Sequence, residues 1–348
     1  MSLRDHQSIL ALALTVTLVL PVVGAPKPED EIPPRLDPSI SKGLAFLAKQ
    51  QGPDGAFEKD GSKVATTGLS LLAFLAVGNA PDLGKYGFAL RQSTEWLLAR
   101  QAPDGYFGVG EHGMYAHAIV TLALAEAYGI EGNSQRRIRI HAALEKAVRV
   151  ITDAHDSPKS NPIFTGGWRY ERNSQDSDLS VSGWNILALR AADDVGIAMP
   201  SKTRQRALAF VQHCHDDNAK GFSYQPGSGA QPGDTAIGIV CLYLLDGTDA
   251  QALRVDNAIK YLEMHPVDEN SPYLFYATSY ATQAAFHRGG DAWTKIGRAA
   301  IDRLLQTQDK DGGWSPGKSN QEPGRVYATA MALQALAVPY RLLPIYQR

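Results

Sequence analysis

The chain has 348 residues, of which 44% are hydrophobic, and its formal net charge is −2. It contains no run of lysine and arginine and no basic aromatic stripe, which argues against a nucleic-acid surface because phosphate binding needs clustered positive charge. The hydrophobic content is sufficient for a full core, and 32 glycines fit a chain with many turns. Two cysteines, Cys214 and Cys241, are too few for a disulfide framework.

Residues 1–25 have the pattern of an export signal. Arg4 precedes an apolar run from Ile9 to Leu20, and Pro21 ends that run before a group of small residues. The run is shorter than the about 20 residues of a membrane-spanning helix, so no transmembrane span is predicted. We expect a periplasmic or secreted protein. Residues 26–38 are rich in proline and charge and are predicted to form an extended linker.

From residue 39 onward the chain repeats one unit, in which an amphipathic helix, a turn with an aromatic residue and an Ala/Leu-rich helix follow one another. Six such units of roughly fifty residues account for nearly all of the remaining chain, which favours one domain. Three copies share the pattern Gln-x-x-x-Gly-x-aromatic, and two looser copies keep the aromatic position without the glutamine. The aromatic residues are Phe57, Phe107, Trp168, Phe222 and Trp314.

The two helices of each unit differ in hydrophobicity. The first is apolar on one face, as Ile40, Leu44 and Leu47 illustrate, whereas the second is apolar almost all round, as in residues 67–77. A helix that is apolar on every side is buried on every side. We therefore predict an inner ring of second helices and an outer ring of first helices that face solvent.

The starts of the second helices share a polar position. Its residue is a hydroxyl in five repeats and a histidine in one: Thr66, His117, Ser182, Thr235, Thr278 and Thr329. The residue after it is small in all six, which lets neighbouring helices approach closely: Thr67, Ala118, Gly183, Ala236, Ser279 and Ala330.

This unit resembles the repeat of the squalene–hopene cyclase, oxidosqualene cyclase and protein prenyltransferase β-subunit superfamily, over roughly residues 40–340. The resemblance implies an all-α fold, an (α/α)6 toroid of six helix pairs in two concentric layers, spanning residues 39–348. In that superfamily the glutamine and the aromatic ring tie neighbouring outer helices together. Gln51, Gln101 and Gln308 match the glutamine, so their implied role is stability.

The resemblance also implies where chemistry would take place. The cyclases carry an Asp-x-Asp-Asp-Thr-Ala motif at the start of an inner helix, and its aspartic acid protonates an alkene. Here, residues 231–236 keep only Asp234 with the Thr-Ala pair, and residues 176–179 keep Asp176 and Asp178 but place leucine third. Since neither motif is complete, the sequence favours a toroid that binds a ligand or a protein partner over a squalene cyclase-like enzyme.

A metal site is not predicted. The prenyltransferases hold zinc with Asp, Cys and His from inner-helix starts, but this chain has no Asp-x-Cys and offers only His117 at such a position. The segment His213-Cys214-His215 lacks a second ligand pair at metal-site spacing, so a helix end with a buried thiol is the better interpretation. The sequence indicates no cofactor.

The inner-helix starts are predicted to converge on one mouth of the toroid. Aromatic rings with a few carboxylates suit a cation or a sugar, and the resemblance adds an isoprenoid. The candidate catalytic residues are Asp176, Asp178 and Asp234, and the candidate ligand-binding residues are Tyr115, His117, Trp168, Trp184, Tyr276 and Tyr327.

Two alternatives remain open for these residues. Aspartates and hydroxyls at helix starts also serve as N-caps, and buried tryptophans also serve as core. If the mouth is an active site, it belongs to an isoprenoid cyclase-like isomerase or to a polysaccharide-active hydrolase or lyase. An inverting hydrolase needs two carboxylates about 6.5–9.5 Å apart, for which Asp178 and Asp234 are the predicted pair because they open consecutive inner helices.

Overall fold

A computed structural model describes residues 35–57, 62–108, 112–245, 251–319 and 321–346. The predicted export signal at residues 1–25 lies outside these ranges, so export stays a prediction. Within the described ranges, β-structure is limited to isolated bridges, and no helix is both long enough and apolar enough to cross a membrane. The principal helices are α1 (Leu36–Gln50), α2 (Lys63–Leu75), α3 (Gly87–Leu98), α4 (Gly113–Ile130), α5 (Ser134–Asp156), α6 (Leu179–Asp194), α7 (Ser201–His213), α8 (Pro232–Leu245), α9 (Ala252–Met264), α10 (Leu274–Arg288), α11 (Ala299–Thr307) and α12 (Arg325–Ala337).

The helices form two concentric layers. Each even-numbered helix contacts the next even-numbered helix, and α12 returns to contact α2, which closes the inner ring. Every residue of α2 from Val64 to Leu75 is buried, whereas α1 buries only one face. The predicted all-α toroid of six helix pairs in two layers is therefore confirmed. Helix α1 begins at Leu36, inside the segment 26–38 that the sequence predicted as a linker.

Three glutamines join neighbouring outer helices through their side-chain amides. Nε2 of Gln51 donates to the carbonyl of Ala89 in α3 at 2.8 Å, and Nε2 of Gln101 donates to the carbonyl of Ala143 in α5 at 2.8 Å. The third, Gln308, follows α11 and donates to the carbonyl of Ser39 in α1 at 2.9 Å. The last bond links the two ends of the chain's helical region, so it closes the outer ring.

The glycine of the repeat motif lets its turn approach the next outer helix. Gly312 has a φ of 96°, and a Cβ atom built on it would lie 2.5 Å from the carbonyl oxygen of Lys42 in α1. Gly55 has a φ of 91° and a comparable approach to Gln92 in α3. Both the left-handed backbone and the lack of space require glycine at these two positions.

A second recurring bond ties each aromatic turn to its own inner helix. The backbone N–H of the aromatic residue donates to the polar side chain at the helix start, at distances between 2.8 and 3.1 Å. In the first repeat the acceptor is Thr67, so the prediction of Thr66 at this position was wrong by one residue. The donor and acceptor pairs are Phe57 and Thr67, Phe107 and His117, Trp168 and Ser182, Phe222 and Thr235, and Trp314 and Thr329.

Replacing one of these acceptors is expected to destabilise the toroid. Thr329→Val keeps the side-chain shape but leaves the buried N–H of Trp314 without its acceptor, which costs about 1–3 kcal/mol. The measurement is the free energy of unfolding in urea. Thr282→Val is the matched control, because the buried Thr282 hydroxyl bonds only to the Thr278 carbonyl of its own helix and its loss should cost less than about 1 kcal/mol. Equal losses in the two variants would contradict the proposed importance of the turn bond.

Candidate functional site

The N-terminal ends of all six inner helices border one pocket of about 760 Å3. One position contributes to its lining in every repeat, two residues before the polar residue of the inner-helix start, which anchors the turn in five of the repeats. We call it the pocket-facing position. Small residues at three of the six positions leave the space, and tyrosines at the other three form walls. In ring order these residues are Ala65, Tyr115, Ser180, Gly233, Tyr276 and Tyr327.

Three further tyrosines line the pocket, and none of them is among the residues predicted from the sequence. Tyr170 and Tyr224 each lie two residues after the aromatic residue of a repeat turn, in the two copies that lack the motif glutamine. Tyr273 immediately precedes α10. An aromatic pair spaced by one residue in those two turns is a signal that could have identified Tyr170 and Tyr224 from the sequence.

We call Tyr170, Tyr224 and Tyr273 the rim tyrosines. Backbone hydrogen bonds fix the first two in place. The Tyr170 carbonyl accepts a hydrogen bond from the N–H of Met114 at 2.7 Å, and the Tyr224 carbonyl accepts one from the N–H of Leu179 at 2.8 Å. Each carbonyl thus satisfies an N–H group at the start of an inner helix, where no helical partner exists. Gly113 has a φ of 54°, and a Cβ atom there would collide with the Tyr170 carbonyl, so glycine is required.

Asp234 lies in the first turn of α8, directly on the pocket lining. Pro232 starts the helix, where a residue without an N–H group is tolerated. Within the described part of the chain, the partly buried Asp234 carboxyl has neither a hydrogen bond nor an ion pair. Burial first, and then the nearby carboxylate of Asp178, raise the pKa of Asp234 to about 7. Asp234 therefore titrates near neutral pH with its side chain open to the pocket.

The other two predicted aspartates do not line the pocket. Asp178 is fully buried and caps α6, because its Oδ1 accepts from the N–H of Val181 at 2.9 Å. Burial raises the pKa of Asp178, and the hydrogen bonds from Val181, Arg169 and Ser180 oppose that rise. Asp176 lies on the loop before α6 and pairs with Nε of Arg169 at 3.3 Å.

Arg169 connects this pair of aspartates to the pocket wall. Its Nη1 donates to Oδ2 of Asp178 at 2.8 Å and to the hydroxyl of Tyr224 at 2.5 Å. Its guanidinium also lies over the rings of Tyr170 and Tyr224, at 5.3 and 5.4 Å from their centroids. Arg169 therefore contacts Tyr170 and Tyr224, and its positive charge is paired with Asp178 and Asp176.

The six predicted ligand-binding residues divide evenly between pocket and core. Tyr115, Tyr276 and Tyr327 line the pocket. Trp168 and Trp184 are buried behind it, and Trp184 meets the ring of Tyr115 edge-on at 5.9 Å, so it supports a wall without lining it.

His117 is one of the turn anchors and is fully buried. Its Nδ1 accepts from the N–H of Phe107 at 3.1 Å, so the ring proton resides on Nε2, 3.0 Å from the carbonyl of Ala147. Histidine thus replaces the usual hydroxyl and reaches the adjacent outer helix α5 as well. In the part of the chain that the structure describes, no group of three or more His, Cys, Asp and Glu side chains is arranged to hold a metal ion.

The toroid and its repeated turns identify the family. Residues 30–271 and 268–343 match the model of the prenyltransferase alpha-alpha toroid domain. The chain belongs to this family. No curated protein matches the sequence. The resemblance recognised from the glutamine and aromatic motif is thereby confirmed.

Solved structures with similar folds include enzymes of two different kinds. A type II terpene cyclase from Scytonema, in complex with geranylgeranyl dihydroxybenzoate, superposes with a TM-score of 0.58 at 16% identity, covering 89% of this chain and 98% of that one. An inactive variant of an α-1,6-mannanase from Salegentibacter, in complex with α-1,6-mannotriose, superposes with a TM-score of 0.64 at 11% identity, covering 87% and 99%. At these identities the likeness shows the fold alone.

Removing Arg169 is expected to destabilise the protein more than neutralising its buried partner. Arg169→Gln leaves the Asp178 carboxylate buried without a cation, which costs about 3 kcal/mol. Asp178→Asn should cost only about 1 kcal/mol, because asparagine still caps α6 and removes the buried charge. Urea denaturation measures both. Arg172→Gln is the control, since its pair with Asp104 is about half exposed and contributes less than about 1 kcal/mol. An Arg169 variant no less stable than the Arg172 variant would refute this role.

His117 is expected to make stability depend on pH. Burial lowers its pKa from 6.5 to about 4, so the unfolded state binds more protons between these values and stability is lost as the pH falls through them. The difference in pKa between the unfolded and folded states contributes about 3 kcal/mol to the free energy of unfolding above pH 6.5. His117→Thr keeps an acceptor without this titration. Between about pH 7 and pH 4.5 the variant should lose less unfolding free energy than the wild type.

The relevant quantity is the difference between the two pH profiles. The pKa of the buried His155 is also lowered to about 4 by burial, but it contributes equally to both proteins and cancels. Parallel profiles for the wild type and the His117 variant would contradict the prediction.

Proposed function

We propose that this toroid binds a small organic molecule in the pocket at the N-terminal ends of its inner helices. The observation that carries the proposal is the pattern at the pocket-facing position. Ala65, Ser180 and Gly233 take the place of the tyrosines found in the other three repeats, and the space they leave forms the pocket. The other three repeats carry tyrosine at the same position, so the open space depends on these three small residues.

The size and lining of the pocket suit a ligand. A volume of about 760 Å3 lies within the about 300–1,000 Å3 typical of small-molecule sites. Tyrosine rings offer large apolar surfaces, and their hydroxyls offer hydrogen bonds that orient an occupant. The Tyr276 hydroxyl is buried, and within the described residues it has no hydrogen-bond partner. Such a group costs free energy unless something in the pocket satisfies it.

The similar toroids support a small-molecule occupant. The terpene cyclase structure holds geranylgeranyl dihydroxybenzoate, and the mannanase structure holds α-1,6-mannotriose. Both are organic molecules held by proteins that superpose on this chain over 98% and 99% of their own length. An isoprenoid and an oligosaccharide are therefore the first two ligand classes to test.

A catalytic function is the second candidate, and one observation favours it. Asp234 is a pocket carboxyl whose pKa of about 7 suits a general acid at neutral pH. It is also the sole carboxylate among the described residues of the lining. Asp178 lies outside the lining, and both of its oxygens are occupied by Val181, Ser180 and Arg169. Hydrolysis by two facing carboxylates is thus less well supported than binding.

Closing the pocket is expected to abolish ligand binding. Gly233→Tyr places a fourth tyrosine at the pocket-facing position, and its Cβ would meet Ala277 at an ordinary 3.4 Å, so the protein should still fold. The measurement is a thermal-shift screen with linear isoprenoids, hopanoids, oligosaccharides and organic cations. We expect a ligand at about a hundredfold excess over its Kd to add about 2.7 kcal/mol to wild-type stability, and to add nothing in the variant.

The matched control puts the same side chain outside the pocket. Gly129 lies near the exposed end of α4, and a Cβ atom there meets no neighbour within 4 Å. Gly129→Tyr should therefore respond to ligands as the wild type does. A response that persists in Gly233→Tyr, or a wild type that responds to no class, would overturn the proposal.

A further inference from the structure

We infer that the preferred occupant of this pocket is an organic cation, such as a quaternary ammonium group, surrounded by tyrosine rings with Asp234 as its counter-ion. This inference rests on the proposed function and names the chemical class of the ligand. It is carried by three features of the lining: its aromatic rings, its single carboxyl and the lack of a lysine or arginine among its described residues, where His112 is the one other basic side chain.

The aromatic rings come from different parts of the toroid and border one volume. Tyr115, Tyr276 and Tyr327 contribute from the inner helices, and Tyr170, Tyr224 and Tyr273 contribute from the rim. The face of an aromatic ring is electrically negative and attracts a cation placed within about 6 Å of its centre. Several rings around one space therefore favour a cation that has few hydrogen-bond donors of its own.

The charged groups of the lining also favour a cationic ligand. Asp234 makes no ion pair within the described residues, and no lysine or arginine occurs among the described residues of the lining. The guanidinium of Arg169, which lies over the rings of Tyr170 and Tyr224, is paired with Asp178 and Asp176. A bound cation would give the Asp234 carboxylate the partner that the protein itself does not supply.

The groups around Asp234 determine how binding depends on pH. The carboxylate of Asp178, the N-cap of α6, is the charged group that acts on Asp234. The charge of Asp234 in turn affects the phenols of Tyr276 on α10 and Tyr261 on α9 and the thiol of Cys214 after α7. His112, the N-cap of α4, is the imidazole of the lining. Burial and Asp178 both raise the pKa of Asp234, to about 7. A permanent cation stabilises the ionised carboxyl, so its affinity should fall as the pH decreases through this value.

The test uses two molecules of the same shape that differ in charge. Acetylcholine carries a quaternary nitrogen, and 3,3-dimethylbutyl acetate has a carbon atom in its place. Isothermal titration with the full chain at about pH 8 should show acetylcholine binding about tenfold more tightly or better. At about pH 5.5 acetylcholine affinity should fall by about tenfold, whereas the affinity of the neutral ester should stay constant.

Two variants separate the charge from the rings. Asp234→Asn should reduce acetylcholine affinity by about tenfold and remove its pH dependence, with no effect on the neutral ester. Tyr276→Leu removes a ring face, whereas Tyr276→Phe keeps it, so acetylcholine affinity should fall further in the leucine variant. Melting curves without ligand verify that each variant is folded.

The outcomes distinguish this inference from the proposed function. Equal or tighter binding of the neutral ester overturns the preference for a cation. So does a screen in which only isoprenoids or oligosaccharides stabilise the wild type and not Gly233→Tyr, although that result supports the pocket as a ligand site. If no compound of any class binds, both proposals are overturned.

Discussion

Ring closure is the constraint on which the rest of this structure depends. An inner ring of six apolar helices can be buried only if the last repeat meets the first, and the amide of Gln308 makes that connection by donating to the Ser39 carbonyl. Gln51 and Gln101 make the same bond between consecutive repeats. The same type of glutamine bond thus joins neighbouring outer helices in two consecutive repeats and, in a third place, joins the last outer helix to the first.

The anchoring of the turns fixes the direction of the inner-helix starts. Each aromatic turn donates its backbone N–H to the polar residue at the start of its inner helix, and this arrangement holds even where His117 replaces a hydroxyl. In the five repeats that have this anchor, the residue two positions earlier lies at the pocket, and Tyr276 occupies the corresponding position in the fifth repeat. The turn anchor and the pocket lining are therefore different positions of one helix turn, so the pocket-facing residue can vary while the anchor is kept.

Asp178 and Asp234 are residues of the same type whose different positions at a helix start give their carboxyl groups different contacts. Asp178 precedes α6 by one residue, so its carboxylate turns back to cap the helix and pairs with Arg169. Asp234 lies three residues further along its own helix, where its carboxyl faces the pocket. The first carboxylate stabilises the third repeat and the rim tyrosines. The second is left to interact with whatever enters the pocket.

The sequence by itself determined the toroid, because the hydrophobic pattern and the aromatic turn are local properties, of which the first recurs six times and the second five. It also predicted that Tyr115, Tyr276, Tyr327 and Asp234 lie together, since the three tyrosines share one position at the inner-helix starts and Asp234 is one residue beyond it, and all four line the pocket. Only the tertiary structure decided that Asp178, His117 and Trp168 bond to buried backbone groups and do not line the pocket. A residue beside a helix start can cap the helix, anchor a turn or line the pocket, because a shift of one residue changes the direction of its side chain. It likewise decided that Tyr170 and Tyr224 reach the pocket, since their positions are set by bonds to inner helices that begin elsewhere in the chain.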